Sequence, residues 1–519
     1  MEKDKSQLKI GIILNYVNMI VGNLIPVFYT PIMLSILGQN EYGLFKLSSS
    51  ITSYLSLISM GIGSAVTRYL IKSREEEGQE AEEKVLGLFV VIFQVIAIAT
   101  FVIGIGIVFC LHFVYGDALS PEEIVRMRIL VFLMVCNTSL TFSVSPFLSV
   151  VSSHEKFIFS QSMNIIATCA APIVNIIVLF MGYASVGMAV SGLVINLLIQ
   201  ISYLLYVRLR MRVRSRFKGM PTYLLKEILV FSFWIFVANV VSQLYNSTDT
   251  VMIGAVPELG TLAVAKYNVG AVFNSIVFSL AVGLSSLLTP KANKMVFSGA
   301  SNTELTDLCI RVGRIQSYLV TLVITGFIAF GQPFIYYYTG PEYSEAYWVA
   351  ILMMTPSMIP LVQSVCLSII VAQNKHRFRS LVYLGIAIAN VIGTYFLMQT
   401  PLGIVGAALM TGIAQVIGQG FVMNWYYEKR TGLQMIRFWK EIVKTMIIPI
   451  GLCIATVLLS NVIDFYSIPI LIAGIVLYTL LFCLLSWKLI LNKYEKNLLL
   501  SPIKKLFQKK NNDHEINSN

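Results

Sequence analysis

Long apolar runs, one after another along nearly the whole chain, constrain this sequence more than any other feature. About fourteen can be marked, starting near residues 10, 42, 85, 127, 156, 184, 228, 264, 315, 345, 378, 402, 440 and 466. An apolar run past ~18 residues is long enough to cross a bilayer as a helix. In lipid the backbone must satisfy its own N–H and C=O groups, which a helix does within one segment. Composition agrees: 56% of the 519 residues are hydrophobic and 12% are charged, about half the charged share of a soluble domain. Mean hydropathy is +0.76. The expected fold class is an all-α integral membrane protein of about 14 transmembrane helices.

The placement of charge sets the topology. An even number of spans puts both termini on one side. With that side inside, 34 of the 38 basic residues fall before the first span, in inner connections or in the tail, and the outer connections hold only Arg126 and Arg128. Such asymmetry follows the rule that Lys and Arg stay cytoplasmic. Both termini are therefore expected in the cytoplasm. Lys3, Lys5 and Lys9 precede a first span with no small-residue cleavage site, so that span is expected to be a retained helix. The net charge of +12 does not point to nucleic acid, because the five arginines of Arg208–Arg216 lie directly after an apolar run. There they set topology and meet anionic headgroups of membrane lipids. Seven scattered cysteines without CxxC spacing and four histidines without ligand spacing predict no disulfide framework and no metal site.

Landmarks recur 220 residues apart: Lys46 with Lys266, Gly63 with Gly283, Val151 with Val371, Ser160 with Ser380. The chain thus reads as an N-lobe (1–207, spans 1–6), a basic cytoplasmic linker (208–227), a C-lobe (228–427, spans 7–12), two appended spans (428–491) and a polar, basic tail (492–519). Each copy has an even number of spans, so the repeats are parallel about an axis along the membrane normal, an arrangement that commonly encloses a cavity with alternating exposure.

Charges inside the membrane are the candidate site. Of the 26 acidic residues, only Asp249 falls within a predicted span. A charge at mid-bilayer costs about 2.5–3.5 kcal/mol on insertion scales and usually faces a polar cavity. Asn239, Ser242, Asn246 and Asp249 share one helical face, which fits either a cavity lining or an interhelical hydrogen-bond seam. Lys46 and Lys266 lie near the outer ends of spans 2 and 8. Each alone could reach the outer headgroups, but matched positions in both copies favour a shared vestibule for an anion. Arg68 and Lys291 sit near the inner ends of the same spans, as inner-surface anchors or as anion-capturing groups at the cytoplasmic mouth. Span 1 carries Pro26 and Pro31 with Asn15 and Asn18 on the same helix; prolines permit bending, which fits a gate or a packing irregularity.

Taken together, "YTPIMLSILGQNEYGLFKLSSSI" (29–51), "GIGSAVTRYL" (61–70), "NSTDTVMIGAV" (246–256) and the paired connections "VVSSHEKF" and "IVAQNKHRF" resemble the polysaccharide-transporter branch of the multidrug/oligosaccharidyl-lipid/polysaccharide exporter superfamily, which contains the Wzx-type flippases. The resemblance implies a bacterial plasma-membrane flippase moving an undecaprenyl-diphosphate-linked oligosaccharide from inner to outer leaflet for cell-surface polysaccharide synthesis. It implies a polysaccharide polymerase and glycosyltransferases as partners. No cofactor is expected beyond a coupling H+ or Na+, with Asp249 either balancing charge or coupling to that ion. A multidrug extruder of the same superfamily is the first alternative; such pumps bind cations, yet spans 1–6 contain no acidic residue. A lipid II flippase is the second; by resemblance that group carries arginines in its first span, and this one has none. An enzyme would call for a large outer loop or a carboxylate cluster, and neither is present, so no catalytic residue is expected.

Overall fold

The computed structural model describes residues 2–497 apart from 60, 287, 374 and 376, and the described elements are helices joined by turns. The polar tail beyond 497 lies outside the described residues. Among the described residues, thirteen helices are long and apolar enough to span a membrane. The first of these, Ile13–Ser59, has 47 residues, about 70 Å at 1.5 Å per residue and more than twice a bilayer core. It belongs to helix α1 (Glu2–Ser53), which is interrupted at Gly38 by a φ of 75° and ψ of 171°. A positive φ is open to glycine at little steric cost, so Gly38 turns the chain between spans 1 and 2. Counted this way there are fourteen spans, as the apolar runs predict. The helix runs through Pro26 and Pro31, and Gly38 is its one non-helical interior position.

The remaining helices follow in order: α2 (Ile62–Glu77), α3 (Gln79–Tyr115), α4 (Pro121–Ser153), α5 (Phe157–Phe180), α6 (Ala184–Leu205), α7 (Leu224–Ala255), α8 (Gly260–Ser286), α9 (Thr289–Phe297), α10 (Asn302–Thr339), α11 (Glu345–Val362), α12 (Ser364–Ala372), α13 (Arg377–Met398), α14 (Gly403–Gln415), α15 (Met423–Tyr426), α16 (Met435–Leu459) and α17 (Ile468–Leu485). Two of the longest begin on capping boxes. Ser120 with Glu123 opens α4 and Ser301 with Glu304 opens α10, each pair satisfying backbone donors that a helix start leaves orphaned.

The chain divides into two compact units. One is the chain up to Val272 together with Ser380–Ala414; the other is Phe273–Arg379 with the chain from Gln415 onward. In the first unit α3 packs on α4, α1 on α5, and α6 on both α4 and α5. At one end of this bundle an apolar core gathers Val66, Leu70, Leu86, Phe89, Val150 and Val207. The basic linker is fastened there. Arg216 donates through Nε to Glu83 at 2.7 Å and through its backbone N–H to the Glu83 carbonyl at 2.9 Å. Gly87 lets it lie close, since a Cβ there would sit 2.0 Å from the Arg216 carbonyl oxygen. At least part of the arginine run therefore serves the fold. In the second unit α10 packs on α11, α16 and α17, around Phe330, Phe465, Leu471 and Tyr478. The Tyr478 hydroxyl reaches Thr325 at 2.7 Å, satisfying a buried polar group inside the bundle.

Candidate functional site

Asp249 lies on α7, six residues before the turn that ends at Gly260 (φ 60°) and starts α8 back along it. The hairpin sets Tyr267 opposite Asp249, and the next residue, Asn268, donates to the next on α7, the Thr250 hydroxyl, at 3.3 Å. The Tyr267 hydroxyl donates to Asp249 Oδ2 at 2.5 Å, and Thr411 of α14 donates to the same oxygen at 2.7 Å. Asn390 of α13 backs Thr411, its amide donating to the threonine hydroxyl at 3.2 Å. All four side chains are buried, with Asp249 only 3% exposed. The second carboxylate oxygen, Oδ1, has no hydrogen-bond partner among the described residues. A buried acceptor left unsatisfied costs about 1–3 kcal/mol, so an orphaned oxygen here marks a place where a proton or a small cation would be stabilised. Among the described residues no group of three His, Cys, Asp or Glu side chains comes together.

The face predicted on α7 changes character along its length. Asn239, Ser242 and Asn246 are exposed, and the Asn246 amide turns back on its own helix to the Ser242 carbonyl at 2.9 Å. Asp249 alone of the four is covered, because α8 and α14 supply its partners. A second polar face of α7 was not legible from the stripe. The Gln243 amide donates to Ser247 at 2.7 Å and also reaches Ser53, Ser247 lies 3.0 Å from Ser53, and the Tyr54 and Thr248 hydroxyls are 2.5 Å apart. This seam joins span 2 to span 7 where the second span leaves α1 for a tighter turn at Tyr54–Ser59. The density of Ser and Thr at 49–53 and 247–250 was the available signal.

Spans 2 and 8 touch near their starts. A Cβ on Gly43 would stand 1.9 Å from the Thr261 carbonyl oxygen. The Thr261 hydroxyl donates to Glu123 of α4 at 2.9 Å. Beside this crossing Glu41 pairs with Arg126 of α4 and accepts from Ser185 of α6. Lys46 follows Gly43 by three residues and Lys266 follows Thr261 by five, so both lie within about two helical turns of one crossing. Each is half-buried. The Lys46 ammonium stands 5.5 Å from the ring centroid of the fully buried Tyr42, a cation–π arrangement.

The other predicted residues are dispersed. Arg68 on α2 is exposed and lies over the Phe231 ring of α7 at 5.1 Å, while Lys291 is exposed on α9 in the other compact unit. Asn18 accepts from Thr168 of α5 at 3.2 Å, on the seam between spans 1 and 5, and Asn15 is exposed.

Comparison with solved structures places this architecture among transporters. A structure of the lipid II flippase MurJ in an inward closed conformation superposes with a TM-score of 0.70 at 16% identity, covering 93% of this chain and 100% of that one. An inward-facing multidrug resistance MATE family transporter of the MOP superfamily gives a TM-score of 0.65 at 12% identity, covering 82% and 99%. A Vibrio cholerae MATE transporter gives 0.56 at 15%, covering 84% and 99%. At these identities the likeness concerns fold. No curated protein matches the sequence. The profile of a family described as polysaccharide biosynthesis protein, however, matches residues 8–290, more than half the chain and with it α1 through α8. By that match the chain belongs to the polysaccharide biosynthesis protein family, built on the membrane-transporter fold of MurJ and the MATE proteins.

Proposed function

We propose that the protein is a flippase that carries an undecaprenyl-diphosphate-linked oligosaccharide from the inner to the outer leaflet of a bacterial plasma membrane, for cell-surface polysaccharide synthesis. The observation that carries this reading is the family match across residues 8–290. The fold and the positions of the charges accord with it. Lys46 and Lys266, near one helix crossing, serve as flexible point charges for the diphosphate or acidic sugars of the head group. Arg68 and Lys291, each at the inner end of its own span, act as inner-surface anchors or as anion-capturing groups. Asp249 takes up H+ or Na+ on its unpartnered oxygen and couples the conformational cycle to an ion gradient. Glycosyltransferases supply the cargo and a polymerase receives it. Both termini are cytoplasmic.

In vesicles reconstituted with the purified protein and a lipid-linked oligosaccharide, the Lys46→Gln/Lys266→Gln double variant is expected to lose at least tenfold in outward transfer. Unchanged transfer would remove both lysines from the mechanism. Asp249→Asn, measured across pH and sodium concentration, is expected to retain residual transfer that no longer responds to either ion. A preserved ion response would exclude Asp249 from coupling. The MurJ likeness over 93% of the chain favours lipid II as a second cargo. The same vesicles loaded with lipid II decide between the two.

A further inference from the structure

A groove of about 1070 Å³ lies between the end of span 12 and the start of span 13. Span 12 continues α14 through π-helical stretches at Val416–Val422 and Tyr427–Thr431, turns at Gly432 (φ 77°) and enters α16. The wider π winding alters the usual i to i−4 pattern of backbone bonds, and Asn424 fills in. Its amide donates to the Gly420 carbonyl at 2.7 Å and the Gln419 carbonyl at 3.0 Å, while its oxygen accepts from Trp439 Nε1 at 2.9 Å and from Gln363 at 2.7 Å. The groove floor is thereby held in a fixed shape, with the Trp439 ring clamped across it.

Four cations and two carboxylates line this groove. Glu428 accepts from the Met435 N–H at 2.6 Å, Arg437 pairs with Asp307 at 2.7 Å, and Lys444 pairs with Glu441 at 2.5 Å. Lys429 and Lys440 are exposed and have no ion-pair partner among the described residues. In the same lining, Ile436 is exposed by 68%, Trp425 by 53% and Val443 by 51%. In a membrane-spanning chain these apolar side chains meet acyl chains. Two unpaired ammonium groups, two indoles and a hydrocarbon-facing wall thus converge at one span junction. Tryptophan and lysine at such a position are the groups that engage the headgroup region.

We infer that this groove binds an anionic glycerophospholipid, its phosphate between Lys429 and Lys440 and its acyl chains along the exposed faces of spans 12 and 13. A freely soluble phosphate has the same charge chemistry but gains nothing from the apolar wall. The inference does not depend on which cargo the protein carries.

The test uses the full-length protein in a neutral detergent, titrated with phosphatidylglycerol or phosphatidylcholine of equal chain length and read by native mass spectrometry. Phosphatidylglycerol is expected to bind at least tenfold more tightly. Lys429→Gln/Lys440→Gln is expected to weaken it about 30-fold, the change that about 1 kcal/mol per lysine implies. Lys72→Gln/Lys294→Gln, two exposed cations elsewhere on the chain, is expected to leave it unchanged. Equal binding of the two lipids overturns the proposal. So does an unaltered Lys429→Gln/Lys440→Gln variant, or a Lys72→Gln/Lys294→Gln variant that loses as much. Glycerol 1-phosphate alone competing at the same concentration as the lipid would assign the groove to free anions and overturn it as well.

Discussion

Gly43→Ala is expected to reduce transport at least tenfold while leaving the chain folded and inserted. On propensity alone, glycine to alanine within a helix stabilises by roughly 0.5–1 kcal/mol, so a loss of function here would run against the local preference. Its cause is the crossing of spans 2 and 8. An added Cβ would stand 1.9 Å from the Thr261 carbonyl oxygen, where real Cβ contacts below 3.0 Å are essentially never seen. The obstacle is backbone, which no rotamer change relieves, so the two helices must separate by about 1 Å or more. Separation loosens the Thr261–Glu123 hydrogen bond and the arrangement depicted here is disfavoured. Under the proposed alternating-access cycle the protein then remains in its other arrangement. Gly63→Ala is the control, because a Cβ there meets nothing within 4 Å. Flux in vesicles, with cysteine accessibility at position 53 reporting the seam to span 7, checks both. Wild-type flux in Gly43→Ala would show that this crossing is not part of the cycle.

The second large effect is one of stability. Arg314→Ala is expected to destabilise the unit that contains α10 by about 3–5 kcal/mol, because removal of one partner strands a buried charge. Arg314 donates through Nε to Glu495 Oε1 at 2.6 Å and through Nη2 to Oε2 at 3.1 Å, and reaches the Ile490 carbonyl at 3.0 Å. Arg314 is 7% exposed and Glu495 2%. Glu495 also accepts the Asn492 N–H at 2.9 Å, so the pair fastens the segment after the last span against span 9. Thermal unfolding in detergent measures the loss. Arg314→Met/Glu495→Met is expected to recover much of it, since apolar replacement of both partners is often neutral or better. If the double variant is as unstable as Arg314→Ala alone, lost packing and not the stranded carboxylate is the cause.

The fold was legible because lipid leaves few options. All fourteen spans could be marked by length and hydropathy alone, and the break between the first two falls at Gly38, within α1. Asp249 was legible for the same reason, a lone carboxylate in a hydrocarbon-length run. Its environment was not. Tyr267 and Thr411 lie 18 and 162 residues away, and nothing local in "AVAKYNVG" or "ALMTGIAQ" distinguishes a carboxylate ligand from an ordinary core side chain. The matched lysines were found as a repeat, yet only the Gly43–Thr261 approach puts them beside one crossing.

By itself the sequence determined the solvent, the number of crossings, the expected sidedness and the one costly internal carboxylate. These follow from hydropathy, from charge and from the requirement that a backbone in lipid bond to itself. Tertiary structure alone decided which oxygen of Asp249 is satisfied, where glycine lets two backbones touch, and how Glu83 and Glu495 tie distant segments down. Those depend on three-dimensional approach between residues far apart in the chain, which a one-dimensional pattern of polar and apolar positions does not encode.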